Sequence, residues 1–198
     1  MTPIVTGKVR FSYVNVFEPR EPQGGGDPKY SITLLIPKTD AATKQAIDTA
    51  IQQVINDSIS TTFGGVRPPA SNLPIHDGDG LRPSSGAPFG AECKGHWVMT
   101  ASSKQRPEVV DDRVQPILDR SQICSGDYGR VSLRFYAYNK AGRKGIGCGL
   151  GNVQKLADGE PLDGRTSATD DFGATKSTSS IDPITGQPID MDRILGGW

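Results

Sequence analysis

Between Gly129 and Asn139 the chain reads as a strand whose alternate positions carry different chemistry. The even positions are Arg130, Ser132, Arg134, Tyr136 and Tyr138; the odd ones are Val131, Leu133, Phe135 and Ala137. Side chains alternate across a strand, so the odd set faces a core. The even set then lines up two guanidinium groups and two phenol rings. Guanidinium groups pair with phosphates, and open tyrosine rings are planes on which bases stack, each base contributing roughly 1–3 kcal/mol with little regard to sequence. Lys140, Arg143 and Lys144 extend the positive line at the hairpin tip that follows. Lys8 and Arg10 present the same chemistry on the first strand, Lys104 and Arg106 after the third, and Tyr128 is a further candidate ring. Arginine and tyrosine also cover ordinary solvent-facing sheet and discourage edge pairing. Three basic strand faces in one chain favour a surface for an unpaired nucleic-acid strand.

Charge distribution supports this more than net charge does. The chain of 198 residues has 22 Lys/Arg and 22 Asp/Glu. Residues 1–155 hold 19 basic and 14 acidic side chains, and residues 156–198 hold 3 and 8. A basic body with an acidic end is a polarised molecule.

Other chemistries are weakly marked. His76-Asp77-Gly78-Asp79 resembles a metal-binding fragment, but loop Asp-Gly pairs are more often turns. Asp111-Asp112 after a strand would suit a metal-dependent nuclease, yet no glutamate or lysine completes a set. Cys93, Cys124 and Cys148 have neither zinc-site spacing nor the even count of a disulfide framework. Gly145-Ile-Gly147-Cys-Gly149 is followed by no helix, so it is not a phosphate loop. Trp97, alternating with Met99 and Ala101, belongs to the core rather than to a stacking platform. No metal, cofactor or catalytic residue is expected. No apolar run approaches the roughly 20 residues that span a bilayer, and the N-terminus lacks a signal peptide's apolar centre, so a cytoplasmic protein is expected.

The elements that must position these groups are mostly strands. Ile4 to Phe17 is one, with Val9, Phe11 and Tyr13 on one face, and a bulge near Tyr13 that flips the faces beyond it. Such a long bent first strand suits a small barrel. Lys29 to Ile36 alternates cleanly and stops at Pro37. Thr39 or Asp40 then caps a helix to about Ser58, whose stripe is Ile47, Ile51, Val54 and Ile55. Residues 58–92 are punctuated by Gly and Pro, and loops this long are often functional. Gly95 to Ser103, a short piece at Glu108 to Val110, and a hairpin turning at Ala141-Gly142 into Lys144–Val153 complete the strands. Glycines at 145, 147, 149 and 151 leave one face of that last strand bare to a close approach. Residues 157–190 are mostly disordered by composition, and the chain closes on an acidic-apolar peptide containing Asp190, Asp192, Ile194, Leu195 and Trp198.

Several pieces in this order resemble a known family. They are Lys29-Tyr-Ser-Ile-Thr-Leu-Leu-Ile-Pro-Lys38, Asp77-Gly-Asp79, Ser103-Lys104 with Arg106-Pro107 and Val109-Val110-Asp111, Ser125-Gly126, Phe135-Tyr-Ala-Tyr-Asn139, and Gly149-Leu-Gly-Asn-Val-Gln154. With Asp171-Phe172 they cover about residues 4–172 and resemble the single-stranded-DNA-binding proteins of phages and prophages, the group related to the replication protein of T-odd phages. The resemblance implies a mainly β protein: a five-stranded OB-fold barrel with one helix, binding single strands across one face. It also implies an acidic tail that contacts replication partners and can occupy the DNA groove. The helix departs from the usual order by following the second strand, and a split of the first strand at the bulge would restore the count.

The expected protein is therefore a non-enzymatic binder. Residues 1–156 form the DNA-binding domain; residues 157–198 form a flexible acidic tail that recruits replication or recombination proteins. A homodimer through exposed strand edges is open. The alternatives are a phage structural or assembly protein and, third, a metal-dependent nuclease.

Overall fold

The computed structural model of the protein describes residues 3–21, 25–140 and 142–162. Eight strands and one long helix are present among them: β1 Ile4–Val5, β2 Val9–Arg20, β3 Lys29–Pro37, α1 Ala41–Ser58, β4 Ile75–Asp77, β5 His96–Ser103, β6 Val109–Val110, β7 Tyr128–Lys140 and β8 Arg143–Ala157. β2 pairs antiparallel with β3, β3 with β5, and β7 with both β2 and β8. One parallel register pair, Ser102 with Gly149, joins β5 to β8 and closes the circuit. The five long strands thus form the ring expected of an OB-fold. β1, β4 and β6 are short additions on β7, β5 and β8.

Alternation in the sequence fills the ring. Val9, Phe11, Ile32, Leu34, Val131 and Leu133 point inward and are almost wholly buried. Burying a side chain of this size favours folding by about 1.5–3 kcal/mol. α1 starts where Asp40 accepts a hydrogen bond from the Thr43 amide (3.0 Å), a cap of the kind that contributes about 1 kcal/mol. Its stripe of Ile47, Ile51, Val54 and Ile55 joins the same core, as the spacing predicts. Trp97 packs against this core, half-buried, with the ammonium groups of Lys38 and Lys44 at 5.2 and 4.5 Å from its ring centre.

The first ring strand needs a correction. It is not split: β2 runs unbroken from Val9 to Arg20 and pairs with β3 on both sides of a register shift between Ser12 and Asn15. The helix therefore lies in the connection between the second and third ring strands. The expected bulge is there, and Tyr13 takes the left-handed conformation (φ 46°) within it. Tyr13 itself has already turned outward, 64% exposed, so Val9 and Phe11 share the inner face without it.

Residues 58–92 are less free than their composition suggests. A 3-10 turn at Ala70–Asn72, β4, a bridge between Leu81 and Pro88 and a second 3-10 turn at Ala91–Cys93 tie the segment to the outside of the ring. Residues 158–162, beyond β8, lie across the outer face of β7 and β2. The Leu162 amide donates to the Ser125 carbonyl (3.1 Å), and the Leu162 side chain packs with Leu35, Cys93 and Val98. The remaining tail, with Asp171-Phe172 and the peptide holding Asp190, Asp192, Ile194, Leu195 and Trp198, lies outside the described residues.

Candidate nucleic-acid interface

The β7–β8 hairpin sets the geometry of the site. Its register places Arg134 opposite Gly149, Tyr136 opposite Gly147 and Tyr138 opposite Gly145. The bare face of β8 and the tyrosine face of β7 are therefore one surface. A Cβ at Gly147 would collide with the Tyr136 ring, and one at Gly145 with the Tyr138 ring and hydroxyl. The glycines let the rings lie down across the neighbouring strand. Tyr136 keeps 47% of its surface open. Burial of the remainder pushes its phenol above the ordinary value, so the ring stays neutral. A flat, neutral, half-open ring seated on the sheet offers a plane on which another flat ring could stack.

Beside this platform runs a trough. One hollow of about 350 Å³ lies between Tyr136, Gly147 and Cys148 on one side and Pro74, His76 and Phe89 on the other. A second, of about 610 Å³, continues over Thr33 and Thr100 to Tyr13, Arg82 and Arg143. His76, Phe89, Val98 and Thr100 line both, so the two are contiguous. The Thr33 and Thr100 hydroxyls, 2.9 Å apart, form its polar floor. Burial lowers the pKa of His76, which favours a neutral imidazole in the wall. Cys93 and Cys148, also at the trough, are pushed up by burial to about 11 and about 12, so they remain thiols.

The basic residues divide into two groups. Among the described residues, no hydrogen bond or ion pair engages the side chains of Arg134, Tyr136, Lys140 or Arg143. Lys104 pairs with Asp27, whose carboxyl is held below its ordinary value first by that bond and further by Lys29 and Lys140. These lysines gather at the hairpin-tip end of the ring. The remaining basic residues, like Lys104, are engaged by the protein itself. The Tyr128 ring lies between Lys8 and Arg10, whose charged centres stand 5.0 and 5.8 Å from its centroid. Arg10 also donates to the carbonyls of Gly126 (3.2 Å) and Glu160 (2.7 Å), and Gly159 packs against Tyr128. Arg130 donates twice to Gln154, at 2.6 and 3.2 Å. The Lys144 ammonium is bonded to the Phe63 carbonyl, and Arg106 lies over Phe17 at 5.5 Å.

Tyr13, His76, Arg82 and Phe89 join the surface although their residue pattern did not place them there. The bulge was the available signal for Tyr13; the others stand alone in a Gly/Pro segment. Among the described residues no three of His, Cys, Asp or Glu converge in a way that would hold a metal ion. Asp77 and Asp79 both pair with Lys38 at 2.6 Å, and Asp111 accepts from the amides of Arg113 (2.9 Å) and Gln115 (2.7 Å) in a tight turn.

The same fold occurs in characterised proteins. The single-stranded-DNA-binding protein of bacteriophage Enc34, solved in complex with ssDNA, superimposes with a TM-score of 0.70 at 32% identity, covering 81% of this chain and 89% of that one. The T7 protein gp2.5, a single-stranded DNA-binding protein, shares the fold at a TM-score of 0.57 and 12% identity, covering 84% of this chain and 98% of its own. Protein p50 of Acyrthosiphon pisum secondary endosymbiont phage 1 is 29% identical over 167 residues, 81% of this chain and 86% of its own length. Residues 2–181 match the family described as "Enterobacter phage Enc34, ssDNA-binding protein", and the chain belongs to that family.

Proposed function

We propose that this protein binds single-stranded DNA without strong sequence preference, as a non-catalytic protector of DNA during phage replication or recombination. The observation that carries the reading is the glycine row of β8, which seats Tyr136 and Tyr138 flat beside Arg134 at the edge of an open trough. Unpaired bases stack on the rings, while Arg134, Lys140, Arg143 and Lys104 neutralise phosphates. Duplex DNA binds poorly, because its bases are already stacked and cannot reach a ring. Affinity falls as salt rises, since each neutralised phosphate releases a counterion. Fluorescence anisotropy on labelled oligo-dT, with matched duplex as control, tests the reading. Tight, salt-sensitive binding to oligo-dT alone is expected; equal affinity for both, or none for oligo-dT, would defeat it.

The tail carries a second role. Ile194, Leu195 and Trp198 dock a replication or recombination protein, with Asp190 and Asp192 steering the encounter. Supporting it, residues 156–198 hold 8 acidic and 3 basic side chains. Truncation before Asp182 should abolish partner recruitment and tighten DNA binding at low salt. Unchanged recruitment would remove the docking role, and unchanged affinity would remove competition between tail and DNA.

A further inference from the structure

We propose that the segment between α1 and β5 is a second wall of the binding surface, on which Arg82, stacked upon Phe89, takes a phosphate of the bound strand across the trough from Tyr136. This rests on the reading of the trough as a single-strand site and assigns a role to a segment outside the sheet.

The segment is built to hold these two residues still. β4 pairs with β5 and fixes its middle. Asp77 and Asp79 grip Lys38, and the Gly95 amide donates to Asp79 (3.0 Å). Beyond them the chain makes a small closed loop: the Arg82 amide donates to the Ala87 carbonyl (2.8 Å) and the Gly86 amide to the Arg82 carbonyl (2.8 Å). Phe89 is seated on Leu35, Cys93 and Val98. Its upper face carries the Arg82 guanidinium, 5.5 Å from the ring centre.

Arg82 is left with unused bonding capacity. Among the described residues its Nε is buried without an acceptor and no carboxylate pairs with it. Glu92 lines the same hollow but makes no ion pair with it. A buried donor without a partner is uncommon enough to need an explanation, and the terminal amino groups of a planar guanidinium lying on a ring can reach phosphate oxygens. The two hollows, of about 350 and 610 Å³, lie within the ~300–1,000 Å³ typical of ligand sites. Arg143 faces the second hollow from the hairpin side, so cations line it from two directions. A single strand in the trough would then meet a ring on one wall and a charged group on the other.

The test uses the full chain and oligo-dT anisotropy over a range of salt. Arg82→Ala should weaken binding several-fold and make the plot of log K against log salt shallower by about 0.7, the share of one phosphate on a single strand. Arg82→Lys should restore the slope. Arg67→Ala is the control, because Arg67 belongs to the same segment but bonds to Gln52 on α1. If Arg82→Ala matches Arg67→Ala in affinity and slope while Tyr136→Ala still binds poorly, the second wall is wrong and the proposed function stands. Failure of the unaltered protein to bind oligo-dT overturns both. Should Arg82→Ala melt below the assay temperature, Arg82→Gln, which keeps the stem over Phe89, decides by the same slope.

Discussion

The two ends of β7 carry the same residue types and meet opposite fates. At one end Tyr128 and Arg130 face Ala157 and Gln154; at the other Arg134 and Tyr136 face Gly149 and Gly147. Tyr128 is flanked by Lys8 and Arg10 and covered by Gly159, and Arg130 is committed to Gln154. Tyr136 lies on glycine with its upper face open, and Arg134 is engaged by nothing among the described residues. A strand's own alternation therefore tells which side chains leave the core. What those side chains are free to do is decided by the neighbouring strand, and by whatever crosses above.

Exchanging side chains between the two ends would break or sharpen this contrast. The largest effect is expected from Tyr136→Ala, which should weaken oligo-dT binding by roughly 1–3 kcal/mol, between several-fold and about a hundredfold. Tyr128→Ala should leave affinity unchanged and lower the melting temperature instead, since its ring holds Lys8, Arg10 and the 158–162 segment. Equal losses of affinity in the two variants would erase the distinction. Next comes Gly147→Val, whose side chain must displace the Tyr136 ring; overpacking of this kind costs about 1–3 kcal/mol in stability, and binding should fall with it. Gly159→Val, crowding Tyr128 and Gly126, should reduce the melting temperature alone.

Smaller effects concern charge. Arg134→Gln should make the salt dependence of binding shallower by about 0.7 in log–log slope, whereas Arg130→Gln should not change it. A shallower slope from Arg130→Gln would mean that Gln154 releases it to the strand. The smallest effect lies away from both ends. Lys38 holds the carboxyls of Asp77 and Asp79 below their ordinary value of 3.8, chiefly through its hydrogen bonds to them. A lowered carboxyl pKa stabilises the fold at pH values above 3.8, and that contribution disappears as pH falls through the folded value. The melting temperature of Asp77→Asn/Asp79→Asn should thus lie slightly below the unaltered protein's at neutral pH and converge with it below pH 3.8.

Much of the scaffold could be read directly from residue order. The stripe Ile47, Ile51, Val54 and Ile55, the alternation of β3 and β7, and the turn at Gly142 are local patterns, and local patterns survive folding. The bulge was legible too, although the side to which Tyr13 turned was not, because it depends on where the register shift begins. The site was legible by half. Arg134, Tyr136 and Tyr138 do share one face of β7, as the alternation predicts, but nothing local told their surroundings from those of Tyr128 and Arg130. Arg10 is tied to Glu160, which is 150 positions away in the chain, and only folding brings such a pair together. Arg82 and Phe89 escaped for another reason: they stand in a Gly/Pro segment with no period, so no face could be assigned to them before β4 and the Leu81–Pro88 bridge fixed it.

The single register pair that joins β5 to β8, Ser102 with Gly149, has a mechanical consequence. Every other junction of the five-strand circuit is an antiparallel ladder of two or more register pairs, so the circuit is stitched shut at one point and should gape there first. That stitch lies beside the trough, with Thr100 on one bank and Tyr136 on the other. A polymer seated across it would act as a clasp, and the ring would resist opening in proportion to how firmly the clasp is fastened.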